Sequence, residues 1–275
     1  MLESEYNKID GVRSTALVAL KKSPKHYRLA LETDIEDTPE LRIGRAVHCY
    51  ALEGAIVFGQ RFVCYREDKS KGEGSRKRWQ AFQEENANRT ILDVKEYDRA
   101  LGAAKALLDH PLASRYLAGG VKEHTIQWTD RETGIRCKAR VDCANRHLVD
   151  VKSARDVQPR LFAADCARLS YHTRMAFYLD GAIANRMKVD PDPIITAVEN
   201  KLPHDVVCYR LGPEVTDVGR KEYRALLRLL KTCQERDHWP GMAPDDVIEL
   251  ELPVWALPED EERELTLPDG ERMSI

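Results

Sequence analysis

Apolar and polar positions alternate most regularly between Gly134 and Ser153. Ile135, Cys137, Ala139 and Val141 are interleaved with Arg136, Lys138, Arg140 and Asp142, the period of a strand with one apolar and one charged face. Asn145 and Arg146 supply a turn. Beyond it Val149 and Val151 share one face, and Leu148, Asp150 and Lys152 share the other. Glu123–Trp128 alternates too, with Glu123, Thr125 and Gln127 on one side. Residues 123–153 therefore predict three consecutive strands with one acidic edge, in a register that alternation does not fix.

On either side of this meander the period lengthens to that of helices. Ser14 is a predicted N-cap for a helix over Thr15–Lys22, broken at Ser23-Pro24 and followed by a helical turn over Lys25–Leu31 and an acidic loop to Pro39. Leu41–Glu53 predicts a helix closed by Gly54, with Leu41, Gly44, His48, Ala51 and Leu52 along one face. Gly44, one turn before His48, lets another backbone come close there. Arg61–Tyr65 reads as a short strand, residues 66–78 as a charged loop, and Trp79 to Asn88 as a helix. Ile91-Leu92 is extended, and Glu96–Leu117 is helical with an interruption at Pro111. Leu161–Arg168 and Tyr171–Met187 predict two more helices. The second buries Tyr171, Met175, Tyr178, Leu179, Ala182 and Ile183 and carries Arg174 on the border of that stripe. Strands over Ile194–Glu199 and Val206–Leu211, a long amphipathic helix over Val215–Gln234 and an extended piece over Ile248–Trp255 follow. Residues 258–275 read as an acidic, loose tail after a single domain over residues 1–257.

Composition narrows the classes. The chain has 275 residues, 43% hydrophobic and 32% charged, a globular profile large enough for a substantial core. Its net charge of -3 excludes a protein coated in basic charge, so any nucleic-acid contact must be a local patch. Lys69, Lys71, Arg76, Lys77 and Arg78 are candidates for phosphate contacts. Seven cysteines without a Cys-x-x-Cys fit reduced thiols and speak against a structural zinc or an iron–sulfur cluster. No apolar run reaches membrane-spanning length and no signal peptide opens the chain, so a cytoplasmic location without membrane attachment is expected.

The candidate chemistry lies in the meander. Asp-x-Lys on a strand is commonly an ordinary solvated face. Two carboxylates about 4 Å apart, however, repel by roughly 4 kcal/mol at an effective dielectric near 20. Such a cluster takes up protons, faces open water or binds a cation, and carboxylates favour hard ions such as magnesium or manganese. Lys152 beside the acids can offset charge on a transition-state phosphate. His48 carries an imidazole suited to a divalent metal.

Four segments then carry a resemblance. IGRAVHCYALEG, EHTIQWTDRETGIRCKARVDCANRHLVDVKSA, SYHTRMAFYLDG and the later AVENKLPHDVVCYRL with LELPVWA resemble, in order from about Ser14 to Trp255, the RecE-type exonucleases (the exonuclease VIII catalytic domain). These belong to the PD-(D/E)xK superfamily, with the RecB nuclease domain and lambda exonuclease. The resemblance implies an α/β restriction-endonuclease-like core, a central mixed sheet flanked by helices. It implies metal ligation by His48, Asp142, Asp150 and the backbone carbonyl of Val151, with Lys152 as catalytic lysine and Glu123 as the preceding acid. Tyr178 matches the tyrosine of the family's Gln-x-x-x-Tyr helix, while Arg174 stands where the family usually has Gln. The permanent charge of Arg174 can grip a phosphate or disturb the metal site. The resemblance also implies a Mg2+ cofactor with Mn2+ as substitute, 5′→3′ exonuclease action on linear double-stranded DNA, and 3′ single-stranded tails for recombination. A ring-shaped homo-oligomer (trimer or tetramer), a single-strand annealing partner and a bacterial or phage origin complete the implication. Within the same residues an endonuclease, a nuclease of other polarity and a DNA-end-binding protein that does not cut stay open.

Overall fold

The structure, a computed structural model, describes residues 3–33, 37–67, 72–243, 245, 247–253, 256, 264–266 and 272–274. The chain opens with α1 (Glu3–Lys8), β1 (Val12–Arg13), α2 (Ser14–Ala19), α3 (Pro24–Glu32) and α4 (Pro39–His48). A π-helical turn (Cys49–Glu53) joins α4 to α5 (Gly54–Arg61). Then come β2 (Phe62–Cys64), α6 (Gly72–Glu85), β3 (Thr90–Leu92), α7 (Val94–Asp109) and α8 (Pro111–Leu117). The meander is β4 (Val121–Thr129), β5 (Arg136–Ala144) and β6 (Leu148–Ala154). It is followed by α9 (Pro159–Arg168), α10 (Tyr171–Ala184), β7 (Ile194–Glu199), β8 (Val206–Arg210) and α11 (Pro213–Arg236).

Local chemistry sets several boundaries. Ser23, read as a helix breaker, is the N-cap of α3 and accepts the His26 N–H, with Pro24 at the first helical position. Asp93 and Glu96 close a capping box on α7. Ser14 does not cap α2, which begins with it; its buried hydroxyl donates instead to Tyr178 Oη at 3.4 Å. Gly54 does not end the helical region; it adopts φ 89 and redirects the chain into α5. The helix expected from Trp79 starts at Gly72, where Glu73 pairs with Lys77 one turn on. Of the phosphate-contact candidates, Lys69 and Lys71 lie outside the described residues, Lys77 pairs with Glu73, and Arg78 pairs with Glu67.

One mixed sheet organises the layers, in the order β1-β5-β6-β7-β8 with β4 on β5. β4 and β6 run antiparallel to β5, and β1 runs parallel to it; β6 and β7 are parallel, and β7 and β8 antiparallel. On one face Val149, Val151, Ile194 and Val198 pack against Ile43 and Val47 of α4 and Ala103 and Leu107 of α7. On the other Val141, Leu148 and Ile195 pack against Phe162 of α9 and Met175 and Leu179 of α10. Leu17, Phe177, Leu227 and Leu230 join α2, α10 and α11 in a third cluster. Among the described residues no helix is long and apolar enough to cross a membrane.

The contact between α10 and α11 is close enough to test. A Cβ on Gly219 would stand 2.4 Å from the His172 carbonyl oxygen and 3.0 Å from Thr173 Cα. Backbone cannot rotate away as a side chain can, so Gly219→Ala is expected to destabilise by about 1–3 kcal/mol. Urea denaturation reads this directly; an unchanged midpoint would contradict the packing.

The chain divides into two compact units, Met1–Trp239 and Pro240–Ile275. In the second, β9 (Glu264–Thr266) and β10 (Arg272–Ser274) pair antiparallel. The tail expected from residue 258 lies largely outside the described residues. Residues 247–253 of the expected extended piece carry no strand pairing, and Trp255 lies outside the described residues.

Candidate active site

The site grows from a fork in the sheet. β4 runs along the whole of one edge of β5, from Val121↔Ala144 to Thr129↔Arg136. The opposite edge pairs with β6 only at Cys143↔Val149 and Ala144↔Leu148, and with β1 only at Val12↔Cys137 and Arg13↔Lys138. Beyond Val149 the β6 strand leaves β5 and continues beside β7. Asp142 stands where they part. Its Oδ2 accepts the Val151 N–H at 2.7 Å across the fork and lies 3.4 Å from His48 Nδ1. A backbone donor that a continuous ladder would have used therefore orients a carboxylate.

Glu123 reaches the same point from the other side. The pairs Lys122↔Cys143 and His124↔Val141 set it opposite Asp142. Its φ of 50 is left-handed, a conformation side chains seldom adopt and one that marks functional turns. Arg140 Nε holds its carboxylate at 2.7 Å. Ligand atoms of His48, Glu123 and Asp142 all lie within 4.8 Å of one another.

His48 is the last residue of α4, at the start of the π-helical turn. Such turns recur at functional sites because the extra residue re-aims neighbouring side chains. The buried face of α4 is Ile43, Ala46 and Val47; the stripe of Leu41, Gly44 and His48 lines the cleft. Gly44 makes the close approach expected of it, but to a side chain: a Cβ there would stand 3.1 Å from Ser153 Oγ of β6.

Asp150 is buried on the α10 side of the fork and pairs with Lys152. It lies outside the group formed by His48, Glu123 and Asp142. Lys152 Nζ also donates to the Val151 carbonyl at 3.3 Å, the carbonyl expected to face a metal. Tyr178 does not line the cleft; it sits behind, against Ser14. Arg174 does line it, and among the described residues it forms no ion pair; its buried Nε has no hydrogen-bond partner.

Burial and like charge dominate the electrostatics. Burial pushes the Asp142 carboxyl up, against the attraction of His48 and with the help of Asp150. Burial and then the charge of Asp142 push Glu123 up, with Arg140 opposing. For Lys152 burial opposes the charged form, but Asp150 and Asp142 outweigh it and raise its pKa. Burial raises Tyr178, with Asp150 adding.

The cleft lined by His48, Glu123, Asp142, Lys152 and Arg174 has a volume of about 910 Å³. Sequence reasoning passed over two of its walls. Arg140 shares the charged face of β5 with Asp142, which strand alternation had displayed. Tyr171, placed in a buried stripe, instead turns its ring to the cleft beneath Lys152 and Arg174; its position three residues before Arg174 was the available signal.

The donor set fits a hard divalent cation. One imidazole nitrogen and two carboxylates converge, and burial penalises those carboxylates as free anions.

Comparison with known proteins agrees with this geometry. The model of a family described as "PDDEXK-like domain of unknown function (DUF3799)" matches residues 14–245. A crystal structure from Eubacterium rectale, described as "Putative exonuclease", superposes with a TM-score of 0.59 at 13% identity, covering 92% of this chain and 94% of that one. At that identity the likeness is one of fold. No curated protein matches the chain.

Proposed function

This chain belongs to the PDDEXK-like domain family, and we propose that it is a divalent-metal-dependent exodeoxyribonuclease that degrades linear double-stranded DNA 5′→3′. The observation that carries hydrolysis is the convergence of His48, Glu123 and Asp142 at the fork, with Lys152 and Arg174 in the same cleft. Polarity, the choice of magnesium and the 3′ single-stranded product are supported by the resemblance to RecE-type exonucleases. The same resemblance supports a ring of identical subunits, a single-strand annealing partner and a bacterial or phage cytoplasm.

Each residue has a chemical task in this reading. His48, Glu123 and Asp142 would hold the ion. A bound magnesium ion supplies Lewis acidity at a phosphoryl oxygen and lowers the pKa of an attacking water. The Val151 N–H and Arg140 keep Asp142 and Glu123 aimed before substrate arrives. Lys152 places a permanent positive charge beside the phosphate as negative charge gathers on it. Asp150 holds that ammonium in place.

Digestion of end-labelled duplexes tests the reading. Linear DNA is expected to lose nucleotides from its 5′ ends in magnesium, and a closed circle of the same sequence to survive. A chelator is expected to stop release entirely. Nicking of the circle would replace the exonuclease with an endonuclease; binding without any cleavage would leave only an end-binding protein.

A further inference from the structure

We propose that the ring of Tyr171 is the floor of a phosphate subsite, on which Lys152 and Arg174 are held as a pair of cations. The proposal rests on the nuclease reading of the cleft and adds a residue and a ligand to it. Lys152 Nζ lies 5.1 Å from the centroid of the Tyr171 ring, and Arg174 Cζ lies 5.8 Å from it. Both distances are within the range in which an aromatic face attracts a cation. Two like charges converge on one ring, an arrangement that repels itself unless an anion joins it. The charge of Lys152 is already met by Asp150. That of Arg174 is met by no carboxylate among the described residues, and its Nε is buried without a partner. A planar guanidinium presented this way matches two phosphate oxygens at once.

The floor is built to stay in place. Tyr171 is the first residue of α10, and Ser170 before it is buried with a left-handed φ of 56. Ser170 does not cap the helix; its Oγ accepts from Lys21 Nζ at 3.1 Å. Lys21, in the link between α2 and α3, also pairs with Glu222 of α11 at 3.0 Å, so the turn is tied to that link and to α11. Phe162 stands 6.2 Å from the Tyr171 ring and limits its tilt. Tyr171 is thus a positioning residue for both Lys152 and Arg174, and Arg174 is the group that touches the phosphate.

The ligand is a phosphate of DNA, either the terminal phosphomonoester of a 5′ end or the phosphodiester next to the scissile bond. Binding measured by fluorescence anisotropy without divalent metal separates these, using hairpin duplexes that differ only in a 5′-phosphate or 5′-hydroxyl. If the terminal group is the ligand, the wild-type protein binds the phosphorylated hairpin about 10-fold tighter, a charge-assisted bidentate contact. Arg174→Ala and Tyr171→Leu then bring the two hairpins to equal affinity, and Tyr171→Phe, which keeps the ring, retains the preference. If the internal phosphodiester is the ligand, both hairpins weaken together in Arg174→Ala and Tyr171→Leu, and Tyr171→Phe again behaves as wild type. Unchanged affinity for both hairpins in Arg174→Ala overturns the subsite. Tyr171→Phe binding as poorly as Tyr171→Leu overturns the role of the ring. Arg174 has no ion pair to lose, so its variant carries the test even if Tyr171→Leu fails to fold. Because no cleavage is needed, loss of the subsite and loss of the nuclease reading give different results.

Discussion

Asp142→Asn is expected to lower magnesium-dependent DNA cleavage by about 10³-fold, the scale of removing a preorganised charged partner from an active site. Asparagine keeps the side-chain shape and an oxygen for the Val151 N–H, so the fork is retained while the charge is lost. Melting temperature separates this from misfolding. Magnesium is expected to raise the melting temperature of the wild type by mass action and to do so far less in the variant. Without metal the order reverses. Burial, partly offset by His48, raises the Asp142 pKa in the folded protein. A carboxyl whose folded pKa exceeds its unfolded value costs stability once pH rises above the unfolded value near 3.9. The metal-free variant should therefore melt above metal-free wild type at neutral pH, and the difference should shrink toward pH 4. Full cleavage by Asp142→Asn would remove Asp142 from the site.

Lys152→Met should reduce turnover at saturating DNA by about 10²–10³-fold while leaving the magnesium-dependent rise in melting temperature in place. It also strands Asp150, whose buried carboxylate pairs with Lys152. Leaving one member of a buried pair unmatched costs roughly 3–5 kcal/mol. Adding Asp150→Asn to Lys152→Met should recover most of that stability and none of the cleavage. This non-additivity isolates the structural part of the pair from its chemical part. Cleavage that returned with stability in the double variant would mean that Lys152 only supports the fold.

Part of the site was legible as local pattern. Alternation over residues 123–153 placed Asp142, Asp150 and Lys152 on adjacent strands, and those strands form. The same alternation misjudged Lys138. It assigned Lys138 to the charged outer face, yet the residue is buried, and its ammonium donates to the carbonyls of Tyr6, Asn7 and Ile9 at 3.0, 3.3 and 2.7 Å. Nothing near residue 138 announces partners some 130 positions earlier. The first ten residues, where no pattern predicts an element, thus include the segment that satisfies a buried charge.

The sequence by itself determined where the strands run and, over β6 and β5 as far as Val141, which side chains alternate, because the two-residue period of a pleated strand is a property of the backbone; past Asp142 that period breaks, and Cys143 packs on the opposite face from Val141. It also determined the order of the motifs, and with them the family. Register, the parting of β5 from β6 and the left-handed backbone at Glu123 within β4 were decided only in three dimensions. Each depends on hydrogen bonds between residues far apart in the chain. Only that folding brings a histidine from an early helix, a glutamate from one strand and an aspartate from the next within reach of a single ion.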